Sequence, residues 1–156
     1  MDNIFIIGSN SFSGASFVGH ALKQGAKVVG ISRSKEANYH FLPYKWVNHD
    51  SFTFHSLDLN HHLKEIITLI NDVKPTHIVN FSAQSMVGQS WLNPADWFMT
   101  NVVSTINLHD NLRKCDFLKR YIHISTPEVY GTCSGFVDEK FPFNPSTPYA
   151  VSRAAA

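Results

Sequence analysis

Metal-ligand spacing is missing from this 156-residue chain. Its nine histidines include a single adjacent pair, His61 and His62, and no His-x-x-x-His or Cys-x-x-Cys run occurs, so no metal centre is expected. Cysteine is scarce, with Cys115 and Cys133 far apart. Neither a signal peptide nor a long apolar run accompanies them, and the expectation is a cytoplasmic protein without a membrane segment. Charge of one sign is lacking too: the formal net charge is +1, and the Lys and Arg residues are scattered. No basic stripe could track a nucleic-acid backbone, which excludes that partner and leaves any anionic ligand to be met locally. Internal repeats and low-complexity segments are absent. What is present is a 44% hydrophobic content in a length typical of one domain, enough to build a core.

The apolar residues come in alternating patterns. Asn3 to Ile7 is a continuous apolar run bounded by Gly8, as expected of a strand buried on both faces. From Phe12, the residues Ala15, Phe17, Val18, Ala21 and Leu22 recur at helical spacing until Gly25, a C-terminal cap. Lys27 to Ile31 reads as a second strand, and Phe52 to Leu57 as a third that ends at Asp58-Leu59. A helix from about His61 carries Leu63, Ile66, Ile67, Ile70 and Val73 on one face, and Thr76 to Phe81 is a fourth strand closed by Ser82 and Ala83. The longest helix starts at Asn93, Pro94 and Asp96, which suit the cap, the first helical position and the positive end of the helix dipole, and runs to about Lys114. Tyr121 to Ser125 is the fifth strand, and a final helix carries Tyr149. Strand and helix alternating in this way predict an α/β fold, a Rossmann-type doubly wound parallel sheet.

Gly8-Ser-Asn-Ser11-Phe12-Ser-Gly14 lies at the join of the first strand and helix, where backbone N–H groups can hold a pyrophosphate; an ordinary strand-to-helix turn is the alternative. Ser11 stands where the dinucleotide fingerprint has its middle glycine, so its Cβ narrows the approach. After the second strand, Ser32-Arg33-Ser34 occupies the place where an acid would accept the ribose hydroxyls of NAD. An arginine flanked by hydroxyls suits a 2′-phosphate and tilts the choice toward NADP, with a solvated loop arginine as the alternative. Asp58 can accept from an adenine amino group or serve as a turn or cap acid.

These segments resemble the extended short-chain dehydrogenase/reductase superfamily and, within it, the NAD-dependent epimerase/dehydratase group, most closely its dTDP-glucose 4,6-dehydratases. The specific parts are Gly8 to Gly14, Asp58-Leu59, Asn80 to Ser85, Asn93 to Asp96, Thr100-Asn101-Val102, Ser125 to Gly131, and Pro148-Tyr149 through Arg153. Complete members are about twice as long. The resemblance therefore implies that residues 1–156 are one NAD(P)-binding Rossmann domain, and that a C-terminal substrate lobe belongs to the complete enzyme. It further implies that Gly8, Ser11, Phe12, Gly14, Ser32, Arg33, Ser34, Asp58, Leu59, Ala83, Tyr149 and Arg153 serve NAD or NADP. Ser85 and Thr126 would meet a nucleotide-sugar substrate, and Asn101 would steady the active-site backbone.

Tyr149 is implied as the base for the sugar's 4-hydroxyl. A free phenol ionises near about pH 10, so such a base needs a neighbouring cation. The family places lysine four residues later, and here the residue is Arg153, which keeps the charge in a bulkier planar fork. A surface arginine near a structural tyrosine is the competing reading. Thr126 matches a hydroxyl that bonds the reacting oxygen, with a strand-end backbone bond as its alternative. Glu128 would remove the C5 proton of a 4-keto sugar as water leaves from C6, a base that an epimerase does not need. Pro127 stands where related dehydratases have an aspartic acid. Trp91, Trp97 and Phe98 read as core or interface, and the family's helices here often form a homodimer. The reading is a nucleotide-sugar 4,6-dehydratase; the alternatives are a 4-epimerase and a non-catalytic dinucleotide-binding module.

Overall fold

The computed structural model describes residues 2–46 and 50–156. Five strands, β1 (Asn3–Ile7), β2 (Lys27–Ser32), β3 (Phe52–Ser56), β4 (His77–Asn80) and β5 (Arg120–His123), form one parallel sheet in the order β3-β2-β1-β4-β5. β1 is central, its Phe5 in register with Val29 of β2 and Ile78 of β4. The order reverses between β1 and β4, which makes the carboxyl ends of these strands the place for a ligand in such a sheet.

The chain forms two compact units, Met1–Ser82 with Asn107–Ile124, and Ala83–Ile106 with Ser125–Ala156. The first contains the sheet. Side chains alternate across a strand, so Ile6 joins one core and Phe5 and Ile7 the other. On the Ile6 side, α1 (Phe12–Lys23) buries Ala15, Val18, Ala21 and Leu22 against Val28. On the other, α2 (Leu63–Val73) buries Ile66 and Ile70 with Ile31 and Ile78, joined by Leu108 and Leu112. Removing one such side chain, as in Ile66→Ala, typically costs about 2–5 kcal/mol. Gly25 follows α1 at φ 81°, the left-handed backbone that ends many helices.

The second unit has α3 (Val87–Ser90), α4 (Pro94–Phe98), a π turn at Met99–Val103, the start of α5 (Ser104–Leu112), a 3₁₀ turn at Pro127–Tyr130, and α6 (Pro148–Ala155). The expected long helix from Asn93 to about Lys114 is a continuous helical run from Pro94 to Leu112, with its middle turn, Met99–Val103, widened to a π turn. Asn93 makes no side-chain cap bond. The widened turn contains Asn101, whose buried amide is engaged in three hydrogen bonds outside its own helix; π turns tend to occur where a helix carries such a residue. Among the described residues, no helix is long and apolar enough to cross a membrane.

Candidate functional site

In the first unit, the carboxyl ends of β1 and β2 are tied together, since Gly8 N–H and Ser9 N–H both donate to the Ile31 carbonyl, at 2.8 and 3.1 Å. Gly8 has φ 83°, and a Cβ there would lie 2.8 Å from the Ser82 amide nitrogen. Glycine is therefore required both by conformation and by the close pass of the segment after β4. A Cβ on Gly14 would lie 2.2 Å from the Gly8 carbonyl oxygen, so α1 can begin this near to β1 only with glycine at that position.

Ser11 does not disturb this turn. Its φ of −68° is ordinary for any residue, and its hydroxyl caps α1, accepting from Gly14 N–H at 3.0 Å and donating to the Gly8 carbonyl at 2.8 Å. The first-turn amides of Phe12 and Ser13 have no acceptor within the helix. The Phe12 side chain is 90% exposed. A backbone glycine cradle followed by a capped helix N-terminus fits a dinucleotide pyrophosphate, with Gly8, Ser11, Phe12 and Gly14 placed together as the sequence implies.

At the end of β2, Ser32 is buried and its hydroxyl accepts from Asn10 N–H at 2.9 Å, so it fastens the loop to the turn. Ser34 contributes its carbonyl to Asn10, while the Arg33 side chain is exposed. After β3, one carboxylate oxygen of Asp58 accepts from Asn60 N–H at 2.8 Å, and the Asp58 N–H donates to His62 Nδ1. Leu59 is buried beside it in the core of α2.

In the second unit, α6 carries Tyr149 and Arg153 one turn apart, both buried. Arg153 at 4% exposure is no surface residue. A buried guanidinium keeps its charge, and it has partners here. The start of α6 leaves little freedom. Pro148 has no N–H to satisfy, Thr147 caps Ala150 N–H at 3.0 Å, and Ser90 Oγ accepts from Tyr149 N–H at 3.2 Å. The Tyr149 carbonyl accepts from Ser152 Oγ at 2.7 Å, and Ser152 in turn accepts from Asn101 Nδ2 at 2.9 Å. Asn101 closes the set on Gln84, accepting its N–H at 2.9 Å and donating to its carbonyl at 3.1 Å. This holds the backbone between Ala83 and exposed Ser85.

Ser90 and Ser152 thus hold the backbone of Tyr149, contacts that the sequence reading missed. The only signal was a serine one turn from the start of α3 and another three residues after Tyr149, and hydroxyls at such places are common. Thr126 sits at the head of the 3₁₀ turn, where its Oγ1 accepts from Glu128 N–H at 3.4 Å and its own proton stays available. Glu128 is exposed, two residues away on the same turn, and Pro127 separates them. The turn closes at Gly131, φ 69°, where a Cβ would meet the Asn144 carbonyl at 2.0 Å.

Residues 5–156 match the protein family described as GDP-mannose 4,6 dehydratase. A dTDP-glucose 4,6-dehydratase of Xanthomonas campestris pv. campestris is 32% identical over 97% of this chain and 46% of its own length. Among solved structures, the UDP-Glc/GlcNAc 4-epimerase of Campylobacter jejuni superposes with a TM-score of 0.88 at 25% identity, covering 99% of this chain and 46% of that one. The Bordetella bronchiseptica enzyme WbmH, in complex with NAD+, superposes with a TM-score of 0.80 at 26% identity over 99% of this chain and 50% of its own. The chain thus spans about half the length of the proteins it matches end to end.

Proposed function

Because the chain belongs to the GDP-mannose 4,6 dehydratase family, we propose that it is the cofactor half of a nucleotide-sugar 4,6-dehydratase of the dTDP-glucose type. The substrate lobe lies in the remaining half of the complete protein. The observation that carries the choice of reaction is Glu128, an exposed carboxylate on the turn capped by Thr126. A reaction confined to C4 has no work for such a base.

A bound nicotinamide supplies the hydride acceptor at C4 and the donor at C6. The chain's own groups handle protons. Tyr149, fixed at its N–H by Ser90 and at its carbonyl by Ser152, takes the proton of the sugar's 4-hydroxyl, and the charge of Arg153 one turn on favours the phenolate. Thr126, whose lone pair holds Glu128 N–H, donates a hydrogen bond to the 4-oxygen and keeps its proton. With C4 a ketone, Glu128 removes the acidified C5 proton while the C6 hydroxyl departs. Pro127 carries no proton, so the departing hydroxyl draws one from water or from another acid.

The glycine cradle accepts the pyrophosphate, and exposed Arg33 favours NADP over NAD. Both cysteines are free thiols, which suits a reducing cytoplasm. Phe98, Met99, Val103 and Ile106 are all at least 36% exposed, and Val151 of α6 is 39% exposed. A second copy of the chain covers them in a homodimer. This 156-residue chain alone binds cofactor but does not turn over substrate.

The second reading is a nucleotide-sugar 4-epimerase, favoured by Pro127 and by the likeness to the Campylobacter enzyme. Glu128→Gln in the full-length protein decides between them. Loss of dehydration with C4 oxidation retained supports the dehydratase, and unchanged turnover supports the epimerase.

A further inference from the structure

Asn10, in the middle of the glycine turn, is a hub. Its N–H donates to Ser32 Oγ at 2.9 Å, and its Nδ2 donates to the carbonyls of Ser34 and Lys35 at 3.2 and 3.0 Å. Its Oδ1 lies 3.3 Å from the hydroxyl of Tyr44, which also donates to Glu36 Oε1 at 2.8 Å. Lys45 Nζ pairs with the other Glu36 oxygen at 2.8 Å. Residues 32–36 are Ser-Arg-Ser-Lys-Glu, so Glu36 is the one carboxylate in the segment that follows β2.

That arrangement bears on cofactor choice. An acid in this segment is what accepts the two hydroxyls of an NAD ribose, and it repels the extra phosphate of NADP. Here both oxygens of the available acid are engaged by donors of the protein itself, one by the Tyr44 hydroxyl and one by Lys45 at the surface. Tyr44 is 3% exposed, with its ring packed on Phe52 at a centroid distance of 4.6 Å, so the latch is anchored in the core. Burial, and then Glu36 beside it, push the Tyr44 phenol well above its ordinary range, and it stays a donor at every workable pH.

We propose that Asn10, Tyr44 and Lys45 are specificity-determining residues for the dinucleotide: they latch Glu36 into the protein and lock the loop so that Arg33 is the charged group presented to the adenosine ribose. This rests on the reading of Arg33 as a 2′-phosphate ligand and deepens it. The selectivity belongs to the latch as much as to the arginine, because releasing Glu36 puts a negative charge next to the phosphate site.

Titrations of the chain with NADP+ and with NAD+ by calorimetry test this, with thermal unfolding of each variant recorded alongside. The wild-type chain is expected to prefer NADP+. Lys45→Met should reduce that preference about tenfold, the scale of one charge-assisted contact. Adding Glu36→Gln to Lys45→Met should restore it, since the freed carboxylate is gone; a merely structural lysine would not be rescued in this way. Asn10→Ala should weaken NADP+ more than NAD+. Arg33→Ala is the separate control. If it leaves the NADP+ to NAD+ ratio unchanged, the phosphate reading itself fails. If Arg33→Ala lowers the ratio while Lys45→Met and Asn10→Ala leave it as in wild type, or the Glu36→Gln addition does not restore it, the latch is overturned and the arginine reading stands.

Discussion

Arg153 takes the place of a lysine, and its burial makes the exchange matter. A guanidinium offers a planar fork of donors where an ammonium offers a compact point charge, yet both keep a cation one helical turn from Tyr149. In the proposed mechanism the charge is the feature that the chemistry needs. Arg153→Lys in the full-length protein should therefore retain reduction of bound cofactor by a nucleotide sugar. Arg153→Gln should slow it about a hundredfold, within the range that general-base catalysis contributes. Stopped-flow absorbance of the reduced nicotinamide reads both. If neither wild type nor Arg153→Lys reduces cofactor with any nucleotide sugar, the chain is a binding module. Ser11 illustrates the same point at the other motif, because its hydroxyl caps α1 and the turn keeps its shape without the middle glycine.

Among the elements, α5 and β5 meet through His109, whose ring stands edge-on to Tyr121 at a centroid distance of 4.5 Å. Burial lowers the His109 pKa below its ordinary 6.5. A depressed value means that the unfolded chain takes up a proton before the folded one does. The contribution to stability is thus complete above about pH 6.5 and is lost as pH falls through the lowered folded value. His109→Gln should flatten that part of the melting temperature against pH, measured by calorimetry from neutral pH down to about pH 5; an unchanged slope would show that the ring is not what titrates.

Much of this level was legible beforehand. Asn3 to Ile7 reads as a doubly buried strand because its run is apolar without alternation, and Gly25 marks the end of α1 because only a left-handed residue turns the chain there. The π widening at Met99–Val103 was not legible, since Thr100 and Asn101 interrupt the apolar pattern no more than ordinary exposed helix residues would. Their meaning comes from Gln84 and Ser152, partners 17 and 51 residues away from Asn101. Ser90 escaped notice for the same reason: its acceptor role toward Tyr149 spans 59 residues. Local periodicity carries no information about pairs so distant.

For the whole molecule, the chain belongs to the GDP-mannose 4,6 dehydratase family and spans about half the length of the relatives it matches end to end. The exposed apolar residues Met99, Val103 and Ile106 recur at helical spacing, and the proposed homodimer rests on them. Val103→Glu with Ile106→Glu should yield a monomer in light scattering after gel filtration; a wild-type protein already monomeric at micromolar concentration contradicts the dimer. The dehydratase assignment has a more direct test in the fate of the C4 hydrogen. A nucleotide-activated hexose carrying deuterium at C4 is incubated with the full-length protein, and the product is read by deuterium NMR. A dehydratase gives a 4-keto-6-deoxy product with the label in its C6 methyl group, the expected outcome. Deuterium returned to C4 in a water-retaining epimer would contradict it.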